Sequence, residues 1–113
     1  MTVRLALGLA VLLPATSLAG ENWQPLDGVG IVSALSDRTL EYDQAWQTFK
    51  PSGRTLYNAG QDSWGYWRVE GGRYCSQWPP SDLWTCYDMA RAGDRLRFIG
   101  PAGDVTEGVY AND

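Results

Sequence analysis

The sequence predicts a mainly β domain: an antiparallel meander forming a small barrel or a strongly curved sheet, with one short N-terminal helix. Eight short runs rich in aromatic and β-branched residues follow one another between positions 39 and 110, punctuated by Gly, Pro, Asn and Asp clusters. The connections between them have no room for a crossover helix, so neighbouring runs must pair antiparallel. The only two cysteines, Cys75 and Cys86, stand almost symmetrically about Pro79-Pro80, the spacing of a hairpin clipped across its strands by one disulfide.

The chain opens on Arg4, an apolar run over residues 5–13, Pro14 and the small-residue exit Ser17-Leu18-Ala19. This is the pattern of a cleaved export signal over 1–19, and the apolar run is far short of the ~20 residues that span a bilayer. Removing 19 of the 113 residues leaves 94, enough for a single disulfide-stapled β domain over 20–113. The expected location is periplasmic or secreted, where a disulfide persists.

Next comes an extended lead and then a helix within residues 26–35. Leu26, Val29, Ile31, Val32 and Leu35 recur at helical spacing, Asp27 is placed to cap, and Leu26 to staple against Ile31. Gly28 and Gly30 weaken it by roughly 1 kcal/mol each, so it depends on docking. The predicted strands are 39–42, 46–49, 54–58, 63–70, 73–78, 84–90, 95–99 and 106–110.

The register of the middle strands follows twice over. A two-residue Gly71-Gly72 turn sets Glu70 opposite Arg73, Val69 opposite Tyr74 and Trp67 opposite Ser76, and a Cys75–Cys86 bridge sets Tyr74 opposite Tyr87. Both put Gly65, Trp67, Val69, Tyr74, Ser76, Trp78, Thr85, Tyr87 and Met89 on the core face. Tyr66, Arg68, Glu70, Arg73, Cys75, Gln77, Trp84, Cys86 and Asp88 fall on the polar one, so the disulfide reads as a staple outside the main core. In the chain-entropy model it is worth about 3 kcal/mol.

Losing Arg4 turns 9 basic residues into 8, against 13 acidic ones. An acidic chain whose cations are scattered singly repels phosphate, so no nucleic acid is expected as a partner. Histidine is absent, which removes imidazole bases, Ser-His and Cys-His pairs and the commonest transition-metal ligand. Gly28-Val29-Gly30 lacks the third glycine and the preceding strand of a dinucleotide site. Carboxylates such as Glu41, Asp43, Asp62, Glu70 and Asp88 read as exposed strand-end residues rather than a glycosidase pair. No catalytic residue, metal or cofactor is expected.

Ser63-Trp64-Gly65-Tyr66-Trp67-Arg68-Val69, followed by Tyr74-Cys75-Ser76-Gln77-Trp78-Pro79-Pro80 and Trp84-Thr85-Cys86-Tyr87-Asp88, resembles small exported bacterial proteins of uncharacterised function that carry a Gly-x-Trp strand before a two-cysteine hairpin. The resemblance spans residues 39–103, implies the fold, and supplies no catalytic residue. Gly65-Tyr66-Trp67 is also similar to the motif that opens a lipocalin barrel, which implies barrel-like curvature.

Binding is therefore the expected role. The leading reading is a non-enzymatic module for a small ligand or glycan, with Tyr66, Arg68, Arg73, Gln77 and Trp84 as a ring-and-guanidinium face. The alternative is a protein-interaction domain, such as an inhibitor of an envelope hydrolase, that presents Pro79, Pro80, Asp82 and Leu83 as a rigid tip. Either way the mature protein is expected to be a monomer that does not span a membrane.

Overall fold

The computed structural model describes residues 22–112; the expected export signal lies outside them. In chain order the elements are β1 (Gln24–Pro25), α1 (Gly28–Leu35), β2 (Arg38–Glu41), β3 (Trp46–Phe49), β4 (Arg54–Asn58), β5 (Asp62–Glu70), β6 (Arg73–Gln77), β7 (Trp84–Ala92), β8 (Arg95–Ile99) and β9 (Val105–Tyr110). Strands β2 to β9 pair antiparallel in sequence order, and β9 returns to β2 through Leu40↔Tyr110 and Glu41↔Val109. These eight strands form a closed antiparallel barrel.

The turn chemistry fixes the register. Gly71 and Gly72 both adopt positive φ, 62° and 76°, which a tight two-residue turn requires and which glycine, lacking a Cβ, adopts readily. The observed pairs Glu70↔Arg73, Val69↔Tyr74, Trp67↔Ser76 and Tyr74↔Tyr87 are those expected. Cys75 and Cys86 are directly opposite and bonded.

One strand has no counterpart in the sequence reading. Gln24 and Pro25 pair with Arg91 and Ala90, and the Leu26 amide donates to the Met89 carbonyl at 2.9 Å. β7 runs on past the start of β6, and β1 covers the edge so exposed. A two-residue segment containing proline has no alternation to betray it.

The helix closes one end of the barrel. α1 touches β5 and β6 on one wall and β2 on the opposite wall, four strands round the ring. Asp27 caps it, its Oδ1 accepting from the Gly30 amide at 2.8 Å. Ile31, Ala34 and Leu35 are driven into the lumen, where they join Leu40, Phe49, Trp67, Met89 and Leu96 in a buried core. The Tyr110 hydroxyl donates to the Ala34 carbonyl at 2.6 Å and ties the helix to the closing strand.

Above that layer the packing thins. Trp78 and Tyr87, expected in the core, are only half-buried, and Thr85 on the same face is exposed. Alternation along a strand decides the face, whereas distance from the helix-plugged end decides the burial. Cys75 departs the other way: it points outward, yet it is fully buried.

Candidate functional site

The end of the barrel opposite α1 holds a cavity of about 530 Å³, within the range of small-molecule sites. Inward positions of successive strands build its wall. Tyr42 follows β2, Tyr57 comes from β4, Trp78 follows β6, Tyr87 comes from β7 and Phe98 from β8. Their ring centroids form a continuous chain: Trp78 to Tyr57 at 6.0 Å, Tyr57 to Tyr42 at 6.2 Å, Tyr42 to Phe98 at 6.2 Å and Phe98 to Tyr87 at 6.4 Å. Tyr74 stands behind them, 5.1 Å from Phe98.

Trp78 takes its place because Gly65 on the facing strand has no side chain. A Cβ there would lie 2.5 Å from Trp78 Cε3 and 2.7 Å from the Gln77 carbonyl oxygen. The Gly-x-Trp element thus makes room for a wall of the cavity, while its own Trp67 fills the packed layer below and donates from Nε1 to the Lys50 carbonyl.

The floor is polar and connected. Gln47, buried on β3, receives the Tyr42 hydroxyl on Oε1 at 2.7 Å. Its amide nitrogen donates to Thr55 Oγ1 at 2.9 Å and to the Tyr74 hydroxyl at 3.3 Å. Ser76 Oγ accepts from Trp78 Nε1 at 3.1 Å. Burial pushes the Tyr74 phenol up to about 12, and burial with the neighbouring Tyr74, Tyr57 and Tyr87 rings raises Tyr42 further. The floor is therefore a set of neutral donors and acceptors at physiological pH. None of the described residues that line the cavity is Asp, Glu, Lys or Arg.

Charge gathers at the rim instead. In a meander alternate turns share an end, and the four segments at the open end, 42–45, 59–62, 78–83 and 100–104, carry Asp43, Asp62, Asp82 and Asp104 and no Lys or Arg. Asp62 Oδ1 accepts from the neutral Asn58 amide at 2.7 Å. The Asp104 carboxylate lies against Gly100 within the last of these segments, and its charge adds to burial in raising Tyr87.

The sequence-predicted site residues lie elsewhere. Tyr66, Arg68, Arg73, Gln77 and Trp84 occupy the outer wall and are engaged locally. Arg68 pairs with Glu70 at 2.8 Å and stacks on Trp84 at 3.9 Å, Arg73 pairs with Asp88 at 3.2 Å, and Tyr66 lies 5.5 Å from the Arg54 guanidinium. Gln77 Nε2 donates to the Asp82 carbonyl at 2.9 Å, binding the outer wall to the loop at the mouth. In that loop Pro79 lines the cavity, Pro80 and Asp82 are exposed, and Leu83 is 74% exposed.

Tyr42, Gln47, Tyr57 and Phe98, which line this candidate site, are not among the residues that the sequence singles out. A signal for them existed: each is the inward residue nearest the open end of its strand, a position defined once alternate turns are assigned to one end. Among the described residues no group of three or more His, Cys, Asp or Glu is placed to hold a metal ion, and no helix is long and apolar enough to cross a membrane.

Compared with protein-family models, curated proteins and solved structures, the chain finds no match.

Proposed function

We propose that this protein is a non-enzymatic binding module of an oxidising compartment that holds a small organic ligand or sugar residue in the open mouth of its barrel. The observation that carries this reading is the cavity of about 530 Å³, walled by a continuous chain of rings over a connected polar floor. Rings supply apolar contact area at small entropic cost, and the amide and hydroxyls below them fix orientation. The Cys75–Cys86 bond and the plugged opposite end hold the wall in place before a ligand arrives, which lowers the cost of binding.

Titration of small organic compounds and monosaccharides, followed by tryptophan fluorescence and by thermal shift, tests the reading. A ligand should raise the melting temperature and perturb Trp78 emission, and Tyr57→Ala should weaken both effects. A ligand that binds equally well to Tyr57→Ala and to a variant with Trp78→Ala would place binding outside the cavity and sink the proposal.

The exposure of Leu83 on a proline-stiffened loop favours a second reading, an inhibitor that inserts this tip into an envelope hydrolase. Inhibition of a cell-wall lytic enzyme by the wild type but not by Leu83→Asp would support it.

A further inference from the structure

We propose that the group entering the cavity is a small organic cation, a quaternary or substituted ammonium. The inference rests on the small-ligand reading above and names the chemistry that reading leaves open.

Three features of the mouth converge on positive charge. The wall presents ring after ring, Tyr42, Tyr57, Trp78, Tyr87 and Phe98, around one space. An ammonium within about 6 Å of a ring centroid is drawn to the negative ring face, and the attraction grows as water is excluded.

The lining also sets the sign. It holds no charged side chain of either sign, so a carboxylate or phosphate would lose its hydration without a partner, whereas a cation still meets the ring faces. An alkylated ammonium gives up less hydration and meets phenol, amide and hydroxyl oxygens from Tyr42, Gln47 and Ser76.

The rim acts at longer range. Each of the four segments at the opening contributes one aspartate and no basic residue. Three carboxylates of the outer wall, Glu70, Asp88 and Glu107, are by contrast held against Arg68, Arg73 and the pair Arg95 and Arg97. The barrel is thus electrically lopsided: its described basic residues all lie outside the mouth segments, and the opening draws cations and repels anions.

Calorimetric titration at low ionic strength tests this with choline, with its uncharged carbon isostere in which a quaternary carbon replaces the nitrogen, and with a carboxylate of the same shape. Choline should bind about fivefold or more tightly than the neutral isostere, and the carboxylate most weakly. The choline preference should shrink on raising salt to about 0.5 M, because the rim contribution is screened. Asp62→Asn combined with Asp104→Asn should weaken choline about threefold and leave the isostere unchanged. Vesicles of phosphatidylcholine separate a free cation from the same group on a lipid headgroup.

A neutral isostere that binds as tightly as choline overturns the cation assignment and leaves the small-ligand reading standing. So does failure of choline when a neutral aromatic compound or a sugar binds in the screen above. Failure of every compound in both experiments sinks the two together.

Discussion

The Arg68 guanidinium lies 3.9 Å from the Trp84 ring, although Arg68 belongs to β5 and Trp84 to β7. β6 runs between them, so the stack crosses its outer face, where Cys75 and Gln77 point outward. The stack thus crosses β6 beside Cys75, the outward cysteine that is fully buried. It also shows what the outer rings and guanidiniums do, since Arg97 on Trp23, 4.0 Å from the ring centroid, repeats the arrangement elsewhere on the wall.

A double-mutant cycle of Arg68→Ala and Trp84→Ala should therefore give a coupling energy of about 0.5–1 kcal/mol in denaturant unfolding. Both single variants should keep the cavity's ligand affinity. Zero coupling would mean that the stack contributes nothing to stability.

Gly65→Ala places a methyl into the Trp78 ring and the Gln77 carbonyl oxygen. The ring can swing aside, the backbone oxygen less easily, so the variant should lose about 1–3 kcal/mol of stability. Ligand binding should suffer as well, because a displaced Trp78 intrudes on the cavity. Unfolding curves together with Trp emission check both, and an unchanged midpoint would contradict the close approach.

Most of the fold was legible because β-hairpins are local. Gly71-Gly72 specified one register and Cys75–Cys86 another, and each fixed the sides of its neighbours without knowledge of the whole. Closure was not legible: Leu40 and Tyr110, 70 positions apart in the sequence, meet at the seam, and no turn dictates that pairing. The cavity was hidden for a different reason. Alternation told that Trp78 and Tyr87 face inward, but whether an inward ring meets packing or empty space depends on its height above α1, a property of the assembled ring of strands.

Replacing both cysteines, as Cys75→Ala with Cys86→Ala, should cost about 2–3 kcal/mol, the chain-entropy value for a loop with a sequence separation of 11. Alanine is the right probe, because a serine hydroxyl at the buried position 75 would add a desolvation penalty of its own. A midpoint that does not move would show that the stack and the ladder hold the hairpin unaided.

On the outer wall Glu107 accepts from both Arg95 and Arg97, and those hydrogen bonds hold its carboxyl below the ordinary 4.5. A lowered folded value means that its contribution is present above pH 4.5 and fades as pH falls through that lowered value. The network is surface-exposed, so the contribution is at most about 1 kcal/mol. Glu107→Gln should flatten the acid limb of a stability–pH curve by that amount and leave the curve unchanged at neutral pH beyond a uniform offset.

At the alkaline limb the sign reverses. Burial holds the Tyr42 and Tyr74 phenols protonated in the folded state beyond their ordinary 10.0, Tyr74 to about 12. Above pH 10 the unfolded chain releases protons that the folded chain retains, so stability is full below pH 10 and is lost as pH rises towards 12. Phenolate absorbance should accordingly include a late, cooperative stage from Tyr42 and Tyr74 that coincides with loss of near-ultraviolet dichroism. Tyr74→Phe should shrink the late stage and reduce the steepness of alkaline unfolding, although it leaves the Gln47 amide short of one acceptor. A single smooth phenolate titration, complete before the fold is lost, would show that the floor of the cavity is open to water and would remove the ground for treating it as a neutral, enclosed surface.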